Sequence, residues 1–424
     1  MKKCYLLLFF FVFFYTSNAQ EILKLRIDPT YASSGTVSQL FDSVNYIPLE
    51  TTKESLFGTV RKMEVTDRYF IIQDNSTSAI LIFEKSGKFH AKVSVKPMDV
   101  MDFSYDKDAE RILIYKANSK ALSPEMQMGM RTNPAQFLKS LKKLLSSDYY
   151  DLNGKKLNVK DDEMPATYYQ MSSVLLPGGI IFSNMAMAHE KMPDSTAFEL
   201  NLFNNGKLYQ HYLPYNTRND IARYGNPFGS KGFTKTLIDT VVYYTRPMDY
   251  SVYKLTPHSM AKVIEIVFPM KNTVPQSFFT DTISQENRNK YLQENPTLIV
   301  GLSGIRLIDN SWYFNISDNQ RRRRSNNNFK YELQTGQLIS LDKCSPDSSS
   351  FYLPIFDYPF AGGGFIAEDS QFLYNHISSL RMFSEMERTK TKNPNYTDGL
   401  KTYFAKGDKK DNPVIVQLKP KASR

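Results

Sequence analysis

The chain has 424 residues, 53 basic against 43 acidic, a net charge of +10, 13% aromatics and two cysteines. So mild a basic excess is that of a solvated surface; it suits an anionic glycan, a membrane surface or nucleic acid and singles out none of them, and the chain has no interleaved basic-aromatic groove of a nucleic-acid binder. Only Cys344 lies beyond the first twenty residues, which excludes an internal disulfide or a cysteine metal site there, so packing must supply stability, and 29 Phe and 27 Tyr suit half-buried pleated strands.

At the N-terminus, Lys2 and Lys3 precede an apolar run from Tyr5 to Tyr15 and then Thr16-Ser17-Asn18-Ala19. This is the pattern of a signal peptide, residues 1–19, with small residues placed for cleavage after Ala19. The run falls short of the roughly 20 apolar residues that span a bilayer. Cys4 stands ahead of the run, where a lipid-bearing cysteine would stand behind it. No later stretch is apolar for long enough to cross a membrane, so a periplasmic or extracellular protein is expected.

Along residues 20–424 a turn rich in Asp, Asn or Gly followed by a β-rich strand recurs: 66–74 (TDRYFIIQD), 106–116, 177–184, 238–246, 308–317 and 368–376 (EDSQFLYNH). After these come two-strand segments around a polar tip: 80–93, 149–159, 200–212 and 329–341, with Gly87, Gly154, Gly206 and Gly336 at the tip, and 251–267 without a glycine. A glycine there supplies the positive φ of a hairpin turn. Four strands per unit, repeated at about 40–50 residues with no alternating long helices, predict an all-β, six-bladed β-propeller of four-stranded antiparallel blades.

The spacing also predicts insertions. Asn133 as N-cap, Pro134 at the first helical position and Phe137, Leu138, Leu141, Leu144 and Leu145 on one face predict an amphipathic helix over 133–148, within an insertion at about 118–148. A short helix is expected within 280–295, and 377–411 reads as a long polar connection. The last strand, 413–420 (PVIVQLKP), has no partner after it. Since closing a ring removes exposed sheet edges, it is expected to pair near the N-terminus, with 22–27 or 44–49, making one closed domain.

Three stretches carry a family resemblance: VNYIPLETTKESLFGTVRKM (44–63), FIIQDNSTSAILIFEKSGKF (70–89) and KDNPVIVQLKP (410–420). Together they resemble the six-bladed β-propeller family of exported bacterial proteins, whose shape is NHL-like. The resemblance implies the fold and an exported location, and brings no catalytic residues with it. Where members often continue with a Gly-rich run, this chain has KVSVKPMDVMDF (92–103).

Residues that could carry chemistry are few. Gly87-Lys88 is no phosphate loop, because the upstream Gly and the following Ser or Thr of that motif are missing. His90, His189, His211, His258 and His376 show no metalloprotease spacing. The carboxylate pairs Asp106/Asp108 and Asp162/Glu163 sit in turn-like stretches with no apolar neighbour to raise a pKa. No nucleophile elbow occurs, and no metal or cofactor is implied.

The candidates for ligand binding are therefore charged groups on expected channel-lining strands, 61–65, 100–106, 235–239 and 303–309, namely Arg61, Asp102 and Arg306, together with the Arg321-Arg322-Arg323-Arg324 run in an expected loop. For Arg61, Asp102 and Arg306 the competing reading is salt bridges between blades, and for the arginine run a solvated loop. The expectation is an exported, monomeric, non-enzymatic binding protein or scaffold that holds a glycan, a peptide or an envelope protein and no nucleic acid. The alternative is a hydrolase or lyase acting on glycans or peptides at the channel mouth, which requires two carboxylates, or a histidine and a carboxylate, to converge there.

Overall fold

The computed structural model describes residues 22–422 except 75, 119–143, 160–169, 186–197, 205–206, 215–221, 224–231, 319–326 and 358–363. Six sheets stand in a ring as the blades of a propeller. From the channel outward, blade 1 is built of Lys62–Val65, Tyr69–Asp74, Ala79–Glu84 and Phe89–Ser94. Blades 2 to 5 follow in chain order with inner strands Asp99–Asp106, Gln170–Leu176, Gly232–Lys235 and Ile299–Ile308. Each of the six recurrent turn-and-strand segments is the second strand of a blade.

Blade 6 closes the ring. Its first three strands, Ala367–Glu368, Leu373–Ile377 and Val414–Pro420, come from the C-terminal end and its outermost, Phe41–Pro48, from the N-terminal end. Val44 lies opposite Leu418 and Pro48 opposite Val414. The closing partner is thus the 44–49 stretch, and the other expected partner, 22–27, is corrected. Leu23–Arg26 instead runs parallel to Ser259–Val267 as a fifth strand on blade 4. From there the chain bridges to the outer edge of blade 5 at Ser33–Ile339 before entering blade 6.

The apolar core lies in the seams between blades. In blade 1, Phe70, Ile72, Leu81 and Phe83 pack against Tyr374 and Ile415 of blade 6, while Ile71, Ile80 and Ile82 pack against Phe103, Ile112 and Ile114 of blade 2. Alternate residues of one strand thus face opposite seams, which is why 69–74 and 79–84 read as nearly continuous apolar runs. Comparable clusters join blades 2 and 3, 3 and 4, 4 and 5, and 5 and 6.

The insertions differ from expectation in part. Residues 144–148 are not helical; after a turn at Leu144 they open the strand Leu145–Asp151, with Leu145 paired to Ala117, because Tyr149 and Tyr150 belong to the blade seams. The rest of the expected helix lies outside the described residues. The 280–295 segment contains the helix Gln285–Glu294, capped by Ser284. The 377–411 connection carries two helices, Ser379–Thr389 and Asp398–Lys406, capped by Ser378 and Thr397. They bury Met382 and Leu400 in the core between blades 5 and 6.

The hairpin tips carry the expected left-handed glycines at Gly87, Gly154 and Gly336; Gly206 lies outside the described residues. Gly87 has φ of 89°, and a Cβ there would lie 2.2 Å from the Pro48 carbonyl oxygen. The blade 1 hairpin is therefore pressed against the closing strand, and Glu50 N–H donates to Gly87 O at 2.8 Å.

Two stability predictions follow from these contacts. Gly87→Ala should lower unfolding free energy by about 2–5 kcal/mol, combining left-handed strain and overpacking. Gly399→Ala, at a helical position with open space around it, should raise it by about 0.4–1 kcal/mol. Urea denaturation of both variants checks the pair; equal midpoints would refute the contact at Gly87.

Candidate functional site in the central channel

A cavity of about 1350 Å³ follows the ring axis and is lined by residues of all six inner strands. Its mouth is rimmed by turns that join first to second strands, carrying Asp67 and Arg68, Lys107 and Glu110, Asp239, and Asp369. Inner strands place side chains here because their outer edge is paired and alternate residues must point into a seam or toward the axis. Six cations and eight carboxylates line it, so this surface is acidic in a chain that is basic overall.

The inner strands contribute three ion pairs. Lys62 Nζ lies 2.7 Å from Asp102 Oδ1 and also donates to Phe103 O at 2.6 Å, joining blade 1 to blade 2. Burial pushes the Lys62 pKa down, and the Asp102 and Glu64 carboxylates more than offset that, leaving it raised. Lys235 Nζ of blade 4 reaches Glu64 Oε2 of blade 1 at 2.7 Å. In a six-membered ring those blades face each other, so this pair crosses the channel. Near the mouth, Lys107 Nζ and Asp239 Oδ2 lie 2.9 Å apart in a solvent-exposed pair between blades 2 and 4.

The third inner-strand pair joins blades 5 and 6. Arg306 Nε lies 3.2 Å from Glu368 Oε2 with both side chains more than nine-tenths buried. The contact is ionic without hydrogen-bond alignment, and Arg306 Nη1 donates to Gly304 O at 3.2 Å. Burial raises the Glu368 pKa against the opposing pull of Arg306, and burial lowers that of Arg306. At the rim beside them, Asp369 accepts from Gln371 and Phe372 N–H and from Tyr374 Oη, and Lys85 Nζ approaches it at 3.3 Å. These hydrogen bonds hold its pKa low despite burial.

The expected site residues therefore have distinct places. Arg61, Asp102 and Arg306 all line the cavity. Asp102 and Arg306 are in salt bridges between blades, and Arg61 is exposed where the chain enters blade 1. Arg321–Arg324 lie outside the described residues, between the paired strands Ser311–Asp318 and Asn327–Glu332. The expected inner strand 235–239 is a strand only to Lys235; Thr236–Asp239 form the rim turn.

Sequence reasoning missed Glu64, Lys235, Glu368 and Ser173. Glu64 and Lys62 alternate with Met63 in the 61–65 stretch, a period-two signal that marks them as axis-facing; Ser173 has no comparable signal.

The carboxylates of Asp102, Glu64, Asp239 and Glu368 each face a cation; Asp67, Glu110, Asp151, Asp369 and His90 line the same cavity. Among the described residues no group of three or more metal-ligating side chains forms. His90 stacks on Tyr69 and contacts Asn153 at 3.2 Å. His211 stacks on Phe198, and His376 is buried, its pKa pushed down to about 4 by desolvation. His189, Asp162 and Glu163 lie outside the described residues. Asp106, expected in a surface turn, is instead the buried last residue of the inner strand Asp99–Asp106 and pairs with Arg111 at 3.0 Å; the turn begins after it.

This ring of six blades around a channel agrees with family comparison. Residues 16–303 match the model of the family DUF5128, described as a 6-bladed beta-propeller. The chain belongs to this family. Among solved structures, a Bacteroides fragilis protein inferred to be exported is 12% identical, with 95% of this chain and 100% of that chain covered at a TM-score of 0.64. A DUF4221-family protein of Bacteroides vulgatus is 10% identical over 91% and 98% of the two chains, with a TM-score of 0.45. A virginiamycin B lyase of Staphylococcus aureus is 12% identical over 77% and 78%, with a TM-score of 0.33. The first shares the propeller fold; the other two superpose too loosely to bear on function. No curated protein matches the chain.

In this family member the buried pair on the channel wall is open to test. Arg306→Met strands Glu368 in the wall and should cost about 3–5 kcal/mol at pH 7, whereas Arg306→Met/Glu368→Leu should cost far less. Because Glu368 already has a raised pKa, protonation relieves the single variant: its deficit should shrink as pH falls from 7 toward the ordinary glutamate range. Denaturation at several pH values checks this, and a pH-independent deficit would contradict it.

Proposed function

We propose that the protein is an exported, non-catalytic binding protein whose central channel takes a polar ligand, either free or displayed by a glycan, a peptide or an envelope partner. The observation that supports this most is the channel itself, an open polar cavity of about 1350 Å³, larger than the roughly 300–1,000 Å³ of ordinary small-molecule sites. Its inner-strand carboxylates are matched to cations, so the wall is built for recognition rather than for proton transfer. Export is supported by the signal-peptide pattern of residues 1–19 and by the naming of the Bacteroides fragilis relative.

The test is native mass spectrometry of the protein purified gently from its own envelope. A bound small molecule or partner is expected, and it should be lost in Thr234→Trp, which places an indole on the channel wall. A preparation that carries nothing, or a ligand unaffected by filling the channel, would count against the proposal.

A further inference from the structure

Resting on that reading, we infer that the ligand is a neutral, hydroxyl-rich saccharide, bound through hydroxyl groups that donate to Glu64 and Ser173. The bulk charge of +10 would favour an acidic glycan, but the channel wall does not share that sign. The inner strands balance their charges: Lys62 with Asp102, Lys235 with Glu64, and Arg306 with Glu368. A ligand anion approaching Lys235 meets Glu64, and one approaching Arg306 meets Glu368. A ligand cation meets the reverse. On the inner strands either charge would have to break a pair in a partly desolvated wall, which is costly; the excess of carboxylates in the lining lies outside these strands, largely at the rim.

Neutral hydroxyls face no such cost, and the wall has hydrogen-bonding capacity to spare. Glu64 Oε1 is buried and has no hydrogen-bond partner among the described residues, although Glu64 Oε2 accepts from Lys235. Ser173 on the inner strand of blade 3 is 4% exposed, lines the same cavity, and its hydroxyl is likewise unpartnered among the described residues. Unmet buried polar groups are uncommon, and in a cavity wall a ligand can satisfy them. Lys235, which spends one of its three ammonium hydrogens on Glu64, offers donors beside these acceptors. A hydroxyl donates and accepts at once, so a ring bearing several of them matches a wall that alternates both kinds of group.

The experiment is isothermal titration of the purified protein with three classes of probe: neutral hexasaccharides (malto-, cello-, xylo-, manno- and chitohexaose), hexagalacturonate, and hexalysine. At least one neutral hexasaccharide should bind, with hexagalacturonate and hexalysine tenfold or more weaker. Ser173→Ala should weaken that binding about five- to tenfold, the worth of one hydrogen bond, without loss of thermal stability, since its hydroxyl has no partner to lose. Tighter binding of hexagalacturonate or hexalysine overturns the ligand class while leaving a binding channel in place. So does an envelope-purified protein that carries a charged ligand. Failure of every probe together with an empty envelope preparation overturns both this inference and the reading it rests on. Unchanged affinity in Ser173→Ala overturns the assigned contact.

Discussion

Ring closure is the constraint on which everything else depends, and it centres on Asn412. This residue is fully buried beside the closing strand. Its side chain donates to the carbonyls of Glu50 and Ser55 at 2.8 and 3.0 Å and accepts from Phe57 N–H at 3.0 Å, and its backbone N–H donates to Thr51 Oγ1 at 2.9 Å. One amide thus satisfies three backbone groups of the loop that follows the N-terminal strand of blade 6. The strand pairing alone would hold the two ends side by side. Asn412 adds a fixed register, since a slip of one residue would leave these buried groups unpaired, each at a cost of about 1–3 kcal/mol. The helices inserted in blade 6 support it from behind: Ser379 Oγ donates to Asn412 O at 2.6 Å and in turn accepts from Tyr403 Oη at 2.7 Å.

The channel inherits its geometry from that closure. Six blades leave an axis narrow enough for a lysine of blade 4 to touch a glutamate of blade 1, and on the inner strands Lys62, Lys235 and Arg306 each find a carboxylate on another blade. The wall therefore does two jobs. Its ion pairs link blades whose apolar seams touch only neighbours, and two residues of its lining, Glu64 and Ser173, keep buried oxygens without a hydrogen-bond partner among the described residues. An exposed pair such as Lys107 and Asp239 adds little stability, but the buried Arg306 and Glu368 are energetically committed to each other, which makes a charged ligand a poor competitor for either.

Much of this fold was legible in the sequence because a propeller repeats its signals. Six turn-and-strand segments and the hairpin glycines mark blade number and order, and two of the three stretches that carry the family resemblance, 44–63 and 410–420, prove to hold the halves of the closure that Asn412 joins. What was not legible is instructive. Leu145 matched a helical face, yet it pairs with Ala117 because tertiary packing of Tyr149 and Tyr150 overrides a helical period. The helices at 379–406 were less legible because Leu380, Met382, Phe383 and Leu400 stand among many charged and polar residues, although Ser378 and Thr397 offered caps; contact with the blade 5 and 6 core makes Met382 and Leu400 interior. Leu23–Arg26 has the pattern of a closing strand and joins blade 4 instead, since blade 6 already has its fourth strand. The site was legible only in outline: Arg61, Asp102 and Arg306 fall on the wall, but which charges pair across the axis depends on distances between blades that no local pattern encodes.

The closure also reaches the channel mouth through a single side chain. Lys85, on the hairpin of blade 1 that carries Gly87, crosses the closing seam to Asp369 and Tyr374 of blade 6, with its ammonium 4.9 and 4.8 Å from the ring centroids of Phe70 and Tyr374. Burial lowers its pKa against the pull of Asp369, so the charge is held by these contacts rather than by solvent. Asp369 is at once a rim residue of the cavity and the carboxylate that receives Lys85. The next residue back, Glu368, anchors Arg306 on the wall. A displacement of the blade 6 and blade 1 seam would therefore move a rim carboxylate and a wall ion pair together. Asp369, which receives Lys85 across the seam, and Glu368, which holds Arg306 on the wall, are consecutive in the chain, so the geometry of the channel mouth is coupled to the seam between blades 6 and 1.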